Sequence, residues 1–323
     1  MALNFLTMDL DTVTVHVGKA DTSVDITVYR DILSAVSPYF RSAFEGPFVE
    51  ATDRSISLTD VTEQTFRMFL QWTQTQNNQR PSGATFPKHE ILIRRSTAKS
   101  ADINAMSPTE LHPPRNTTLA LDEAGDRNLS ISNKDLVRLY FKNPEWVEGY
   151  RLSLLSFLRL YAFADKYNVP QLRDDVLTAM VSQSMSWNGW PDLEQGVIEL
   201  AYAMLPSSSK FIRFFVLSTA YVWLSQDGNC SATKLRILRE LNEDFAFDVM
   251  VVQNQRLQHK RLPDRMPSRF EGAVPNACIL HEHLVQDAEH CRKRVRDQPY
   301  IFTGLIEMCA QDASTTAKES EEE

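Results

Sequence analysis

Glycine is scarce, ten residues in a chain of 323, and none of the glycine-rich phosphate cradles occurs: neither GxGxxG nor GxxxxGK[ST] can be found. The nucleophile elbow GxSxG and the metalloprotease helix HExxH are missing as well, which removes the common hydrolytic signatures. Four cysteines are too few for a disulfide framework in a chain this long, and fit a reducing cytoplasm or nucleus. Long hydrophobic runs are absent: the longest, FIRFFVLSTAYVWL from Phe211 to Leu224, is broken by Arg213, Ser218 and Thr219 and is too short for a bilayer, so no membrane partner is expected. The first residues, MALNFLTMDLD, carry Asp9 and Asp11 where a secretory leader would be apolar, so secretion is not expected. There is no basic excess. A net charge of −8 opposes a whole-chain affinity for phosphate backbones, and nucleic acid is not the expected partner.

What is present is an ordinary globular composition, 43% hydrophobic and 24% charged, with ample apolar material for buried cores. Val13, Val15 and Val17 alternate with polar residues, and so do Val24, Ile26 and Val28, which predicts two half-buried strands joined as a hairpin. From Asp31 the spacing changes to Ile32, Leu33 and Val36, the face of a short helix that Pro38 cannot continue. Ser37 is placed to cap a second helix with Pro38 at its first position and Tyr39, Phe40, Ala43 and Phe44 along it; Gly46 and Pro47 end it. SISL, with Ile56 and Leu58, predicts a third strand, and Thr62 caps a helix carrying Phe66, Phe69 and Leu70.

Between about Gln76 and Gly149 the composition shifts to Asn, Gln, Ser, Thr and Pro, the mark of a flexible insertion in which only EILI (Glu90 to Ile93) and DLVRLYF (Asp135 to Phe141) are candidates for order. Apolar helical spacing returns from Leu152 to Tyr167, and a new helix restarts with Pro170 in its first turn. Further helical patterns follow beyond Ser182. The segment QRLQHKRLPDRMPSRF is then a basic connector, a Cys/His cluster comes next, and DASTTAKESEEE is expected to be a solvated, unfolded end.

In this order VTVHVG, VDITVYRDILSAVSPYFRSAFEGPFVEA, ISLTDVTEQTFRMFLQWTQT and LRLYAFADKYNVPQLRDDVLTAM resemble the BTB/POZ domain, in the short form abundant in fungal proteins. One departure is that the His-Lys pair common before the first helix is replaced by Tyr29 and Arg30. The resemblance implies an α+β fold, a small three-stranded sheet with helical hairpins, followed by an all-helical C-terminal region. The boundaries expected are 1–75 plus 150–182 for the domain and 76–149 for the insertion, with 183–256 helical, 257–310 basic connector and Cys/His-rich segment, and 311–323 acidic tail.

The resemblance also implies a non-catalytic protein-interaction adaptor. Two finer forms stay open: a substrate receptor for a cullin-based ubiquitin ligase, or a dimeric scaffold for a transcription or signalling complex. Cullin-binding relatives often carry a hydrophobic residue, any residue, then Glu on the third helix; Phe66, Arg67 and Met68 stand there, without the acid. Phe66, Met68 and Trp72 are the candidate partner contacts; Phe66 also fits one buried face with Phe69 and Leu70, which leaves Met68 and Trp72 as the outward contacts, or as residues packed beneath the insertion. For self-association as a homodimer, Ile32, Val36 and Tyr39 are the candidates, with monomer core as the alternative.

The stretch with ligand chemistry is CILHEHLVQDAEHC, which gathers Cys278, His281, His283, His290 and Cys291 into fourteen residues. Cys278, His281, His283 and Cys291 would satisfy a tetrahedral structural zinc, with His290 as a substitute; loop histidines and free thiols are the alternative. The spacing does not match the DNA-reading finger, whose cysteine and histidine pairs stand about a dozen residues apart. An enzyme would need an open metal position or an activated nucleophile; Asp165 and Lys166 supply neither pattern and read as helix-surface charges. HKR (His259 to Arg261) and CRKRVR (Cys291 to Arg296) read as solvated surface, or as signals for an import receptor or nucleic acid.

Overall fold

In the computed structural model, residues 9–19, 21, 23–76, 144–187, 195–221, 224, 232–259 and 277–322 are described. The two alternating valine segments form β1 (Thr12–Val17) and β2 (Val24–Tyr29), antiparallel with Val13 opposite Val28 and Val15 opposite Ile26. The third strand, β3 (Ser55–Leu58), pairs parallel to β1 with Val15 opposite Ile56, so the sheet order is β2-β1-β3. A parallel return needs a crossover, and three helices supply it: α1 (Arg30–Val36), α2 (Pro38–Glu45) and α3 (Val49–Asp53). Ser37 caps α2 as expected, its Oγ accepting the Phe40 N–H at 3.1 Å while donating to the Tyr167 carbonyl at 2.6 Å. Thr62 likewise caps α4 (Glu63–Thr75), accepting from the Thr65 N–H at 3.2 Å.

Beyond the sheet the structure is helical: α5 (Pro144–Lys166), α6 (Pro170–Trp187), α7 (Gln195–Met204), α8 (Lys210–Tyr221), α9 (Ala232–Leu241), α10 (Glu243–His259), a 3₁₀ turn (Ala277–Leu280), α11 (Ala288–Asp297) and α12 (Pro299–Glu322). The helix expected from Leu152 thus begins at Pro144, inside the stretch assigned to the insertion. The remainder of that stretch, with EILI and DLVRLYF, lies outside the described residues, as does most of the basic connector.

One apolar core runs through the sheet and the helices, from Val13 and Leu33 through Phe69 and Phe157 to Leu305 and Cys309. The α+β arrangement with a helical C-terminal region is therefore as expected, but two boundaries need correction. The region 257–310 contains ordered helices, and the expected acidic tail at 311–323 continues α12 as helix to Glu322. The reason is visible in α12 itself: Ile301, Phe302, Leu305, Ile306, Met308 and Cys309 are buried, chiefly against α5 and also against α6 and α4. Once that face is anchored, adding turns costs little, and nothing in ASTTAKESEE breaks a helix.

Candidate functional site

Helix α4 of the N-terminal module is the expected docking helix, and its geometry overturns part of that expectation. Phe66 is 0% exposed, Met68 6% and Trp72 1%, so Met68 and Trp72 are core residues and not outward contacts. Helix α5 covers one side of α4 and α12 another, so two faces are apolar where the sequence reading assumed one. What α4 leaves to solvent is Gln64, Arg67, Gln71 and Gln74, a polar stripe at helical spacing. Arg67 is itself held by Glu63 at 2.6 Å.

Trp72 is anchored by more than packing. Its indole N–H donates to Asp175 Oδ2 at 2.9 Å, and Arg294 of α11 meets the same carboxylate through Nη2 at 2.7 Å and Nε at 3.2 Å. Gln171 donates to the other oxygen at 2.9 Å, and Arg294 also reaches Gln76 and Gln298. The Asp175 side chain is 2% exposed and that of Arg294 10%, so a buried ion pair ties α4, α6 and α11 together. Arg294 lies within CRKRVR, whose other basic residues Arg292, Lys293 and Arg296 are exposed. Its inward role had no local signal, because its partner stands more than a hundred positions earlier.

Of the three self-association candidates, Ile32 is core and Val36 is partly buried against it. Tyr39 is 41% exposed, its ring edge on Phe40 and Tyr167. Tyr29, Phe48 and Val49 are further exposed large apolar residues of this module. Lys166 pairs with Asp60 on the surface at 2.7 Å, whereas Asp165 meets the largely buried Arg173 at 2.5 Å. His16 pairs with Asp25 at 2.6 Å.

Cys278, His281, His283 and Cys291 are brought together, with one ligand atom from each lying within 4.8 Å of all the others. The 3₁₀ turn carries Cys278, the residues after it carry the histidines, and the first turn of α11, capped by Asp287 on the His290 N–H, carries Cys291. His290 is exposed and stays outside the group. The loop is held to α6 by Asp174, whose carboxylate accepts the Glu282 N–H at 3.0 Å and the His283 N–H at 3.3 Å. Burial pushes the His281 imidazole down to about 4 and the Cys291 thiol up to about 12, with His283 and Cys278 respectively adding to the shift. Burial also raises Asp174, partly offset by the two amides it accepts. Asp174 and Thr178, which fix this loop from α6, were not recognised from sequence.

Residues 4–85 match the family model described as BTB/POZ domain. No curated protein and no solved structure matches the chain. Among the described residues no helix is long and apolar enough to cross a membrane.

Proposed function

We propose, from the premise that the N-terminal part of this chain is a BTB/POZ domain, that the protein is a non-catalytic adaptor of the cytoplasm or nucleus that brings protein partners together. The observation that carries this reading is the match over the sheet and helical hairpin, since a BTB/POZ domain is a protein-interaction module. Between its two finer forms, a dimeric scaffold is better supported than a cullin receptor. A cullin-type contact through α4 would call on Phe66, which is 0% exposed, and Met68, itself 6% exposed, stands where the acid would be. Self-association instead has exposed apolar side chains to draw on at Tyr29, Tyr39, Phe48 and Val49.

The test is light scattering and sedimentation of the purified chain at micromolar concentration, alongside recovery of the tagged protein from cells with immunoblotting for cullins. A dimer that Tyr39→Asp converts to monomer, with no cullin recovered, is the expected result. A monomer at every concentration would remove the scaffold, and stoichiometric cullin would restore the ligase reading.

A further inference from the structure

We propose that Cys278, His281, His283 and Cys291 bind one structural zinc ion, and that this ion fastens the 3₁₀ turn and α11 onto α6. The site stands independently of the adaptor reading. Tetrahedral zinc with sulfur and nitrogen ligands sets its donors about 3.3 to 3.8 Å apart. The four donor atoms already lie within 4.8 Å of one another, so closure around an ion needs a contraction of about 1 Å in the widest pair.

The histidines are prepared as ligands. Thr178 Oγ1 donates its own proton to the Asp174 carbonyl at 3.0 Å, so at 2.9 Å from His281 Nε2 its oxygen can only accept. His281 therefore carries its proton on Nε2, and the Nδ1 lone pair is directed at Cys291 Sγ, 3.2 Å away. A ligating imidazole held through its other N–H by an oxygen is the usual outer arrangement of zinc sites. His283 adds a second sign. Its Nε2 is buried without a hydrogen-bond partner, and its backbone sits at φ 53°, a left-handed conformation costing about 1 kcal/mol for a side-chain-bearing residue. The Asp174 carboxylate holds that conformation through the Glu282 and His283 amides.

The need for a fastener comes from α11, a ten-residue helix none of whose residues is buried. Hydrophobic packing does not hold it in place. Arg294 on Asp175 tethers its later part, and Cys291 in the cluster tethers its start. Two thiolates with two imidazoles select zinc among common biological cations, and four protein donors close the shell, which makes the site structural.

The experiment uses the full chain, expressed with zinc and purified without chelator, with metal counted by mass spectrometry and cobalt(II) exchanged in as a spectroscopic probe. About one zinc per chain is expected, together with cobalt bands of a tetrahedral thiolate site. Cys278→Ser/Cys291→Ser should hold less than about a tenth as much zinc and give no thiolate-to-cobalt band, while His290→Ala keeps both. The wild-type stoichiometry and cobalt spectrum decide the matter even where the double variant does not fold. Wild-type protein with less than about a tenth of an equivalent of zinc and no such spectrum overturns the site. So does a Cys278–Cys291 disulfide in freshly purified, alkylated protein, or undiminished zinc in the folded double variant.

Discussion

Replacing Arg294 by methionine keeps most of the side-chain volume and deletes the guanidinium that forks onto Asp175 at 2.7 and 3.2 Å. The carboxylate left behind is 2% exposed, and the Trp72 indole and the Gln171 amide still donate to it. Breaking a buried pair from one side costs about 3–5 kcal/mol, and the two surviving donors place this case at the lower end, about 3 kcal/mol. With a urea dependence of about 3 kcal/mol per molar for a protein of this size, the unfolding midpoint should fall by about 1 M at unchanged slope. Adding Asp175→Asn removes the stranded charge while keeping an acceptor for Trp72, so the double variant should regain about 2 kcal/mol, a coupling measurable in a double-mutant cycle. Because both groups are buried, the penalty should persist at about 0.5 M salt. A midpoint shift under about 0.3 M, or additive single effects, would refute the view that this pair holds α4, α6 and α11 together.

Trp72→Phe keeps an aromatic ring in the core but removes the N–H on Asp175 along with part of the indole, and should cost at least about 2 kcal/mol by urea denaturation. Ser37→Ala loses both the cap on Phe40 and the donor to the Tyr167 carbonyl, for a loss of about 2 kcal/mol in the same assay. Leu305→Ala should destabilise by about 3 kcal/mol, since this residue is 0% exposed in the face of α12 that meets α5. Met68→Ala/Trp72→Ala should lower stability and raise binding of a hydrophobic dye, whereas Gln71→Ala on the exposed stripe of α4 should leave the unfolding free energy within about 0.5 kcal/mol of wild type.

Legibility followed the distance over which each feature is decided. The strands, the short helices and the caps at Ser37 and Thr62 are written in windows of a few residues, and alternation or spacing there was enough. The Cys/His group was visible for the same reason, its members falling within fourteen positions. Met68 and Trp72 were misjudged because one of the two helices packed on α4, α12, arrives more than two hundred positions later, and a helix between two layers shows no single apolar stripe. The acidic end was misjudged by composition: apart from Asp312, itself 9% exposed, its charges begin only at Lys318, after the buried face between Ile301 and Ala313 has committed the helix. Arg294 is hidden among exposed basic neighbours, and only the fold brings it to Asp175.

That α12 completes the cover over α4 also has a consequence for biogenesis. Phe66 and Leu305 are made about 240 residues apart, on the order of 10–50 s of synthesis at ordinary ribosomal rates. Through that interval the nascent chain carries a greasy flank whose lid has yet to be translated. Chaperone demand should therefore build as elongation proceeds past α4 and fall when α12 emerges.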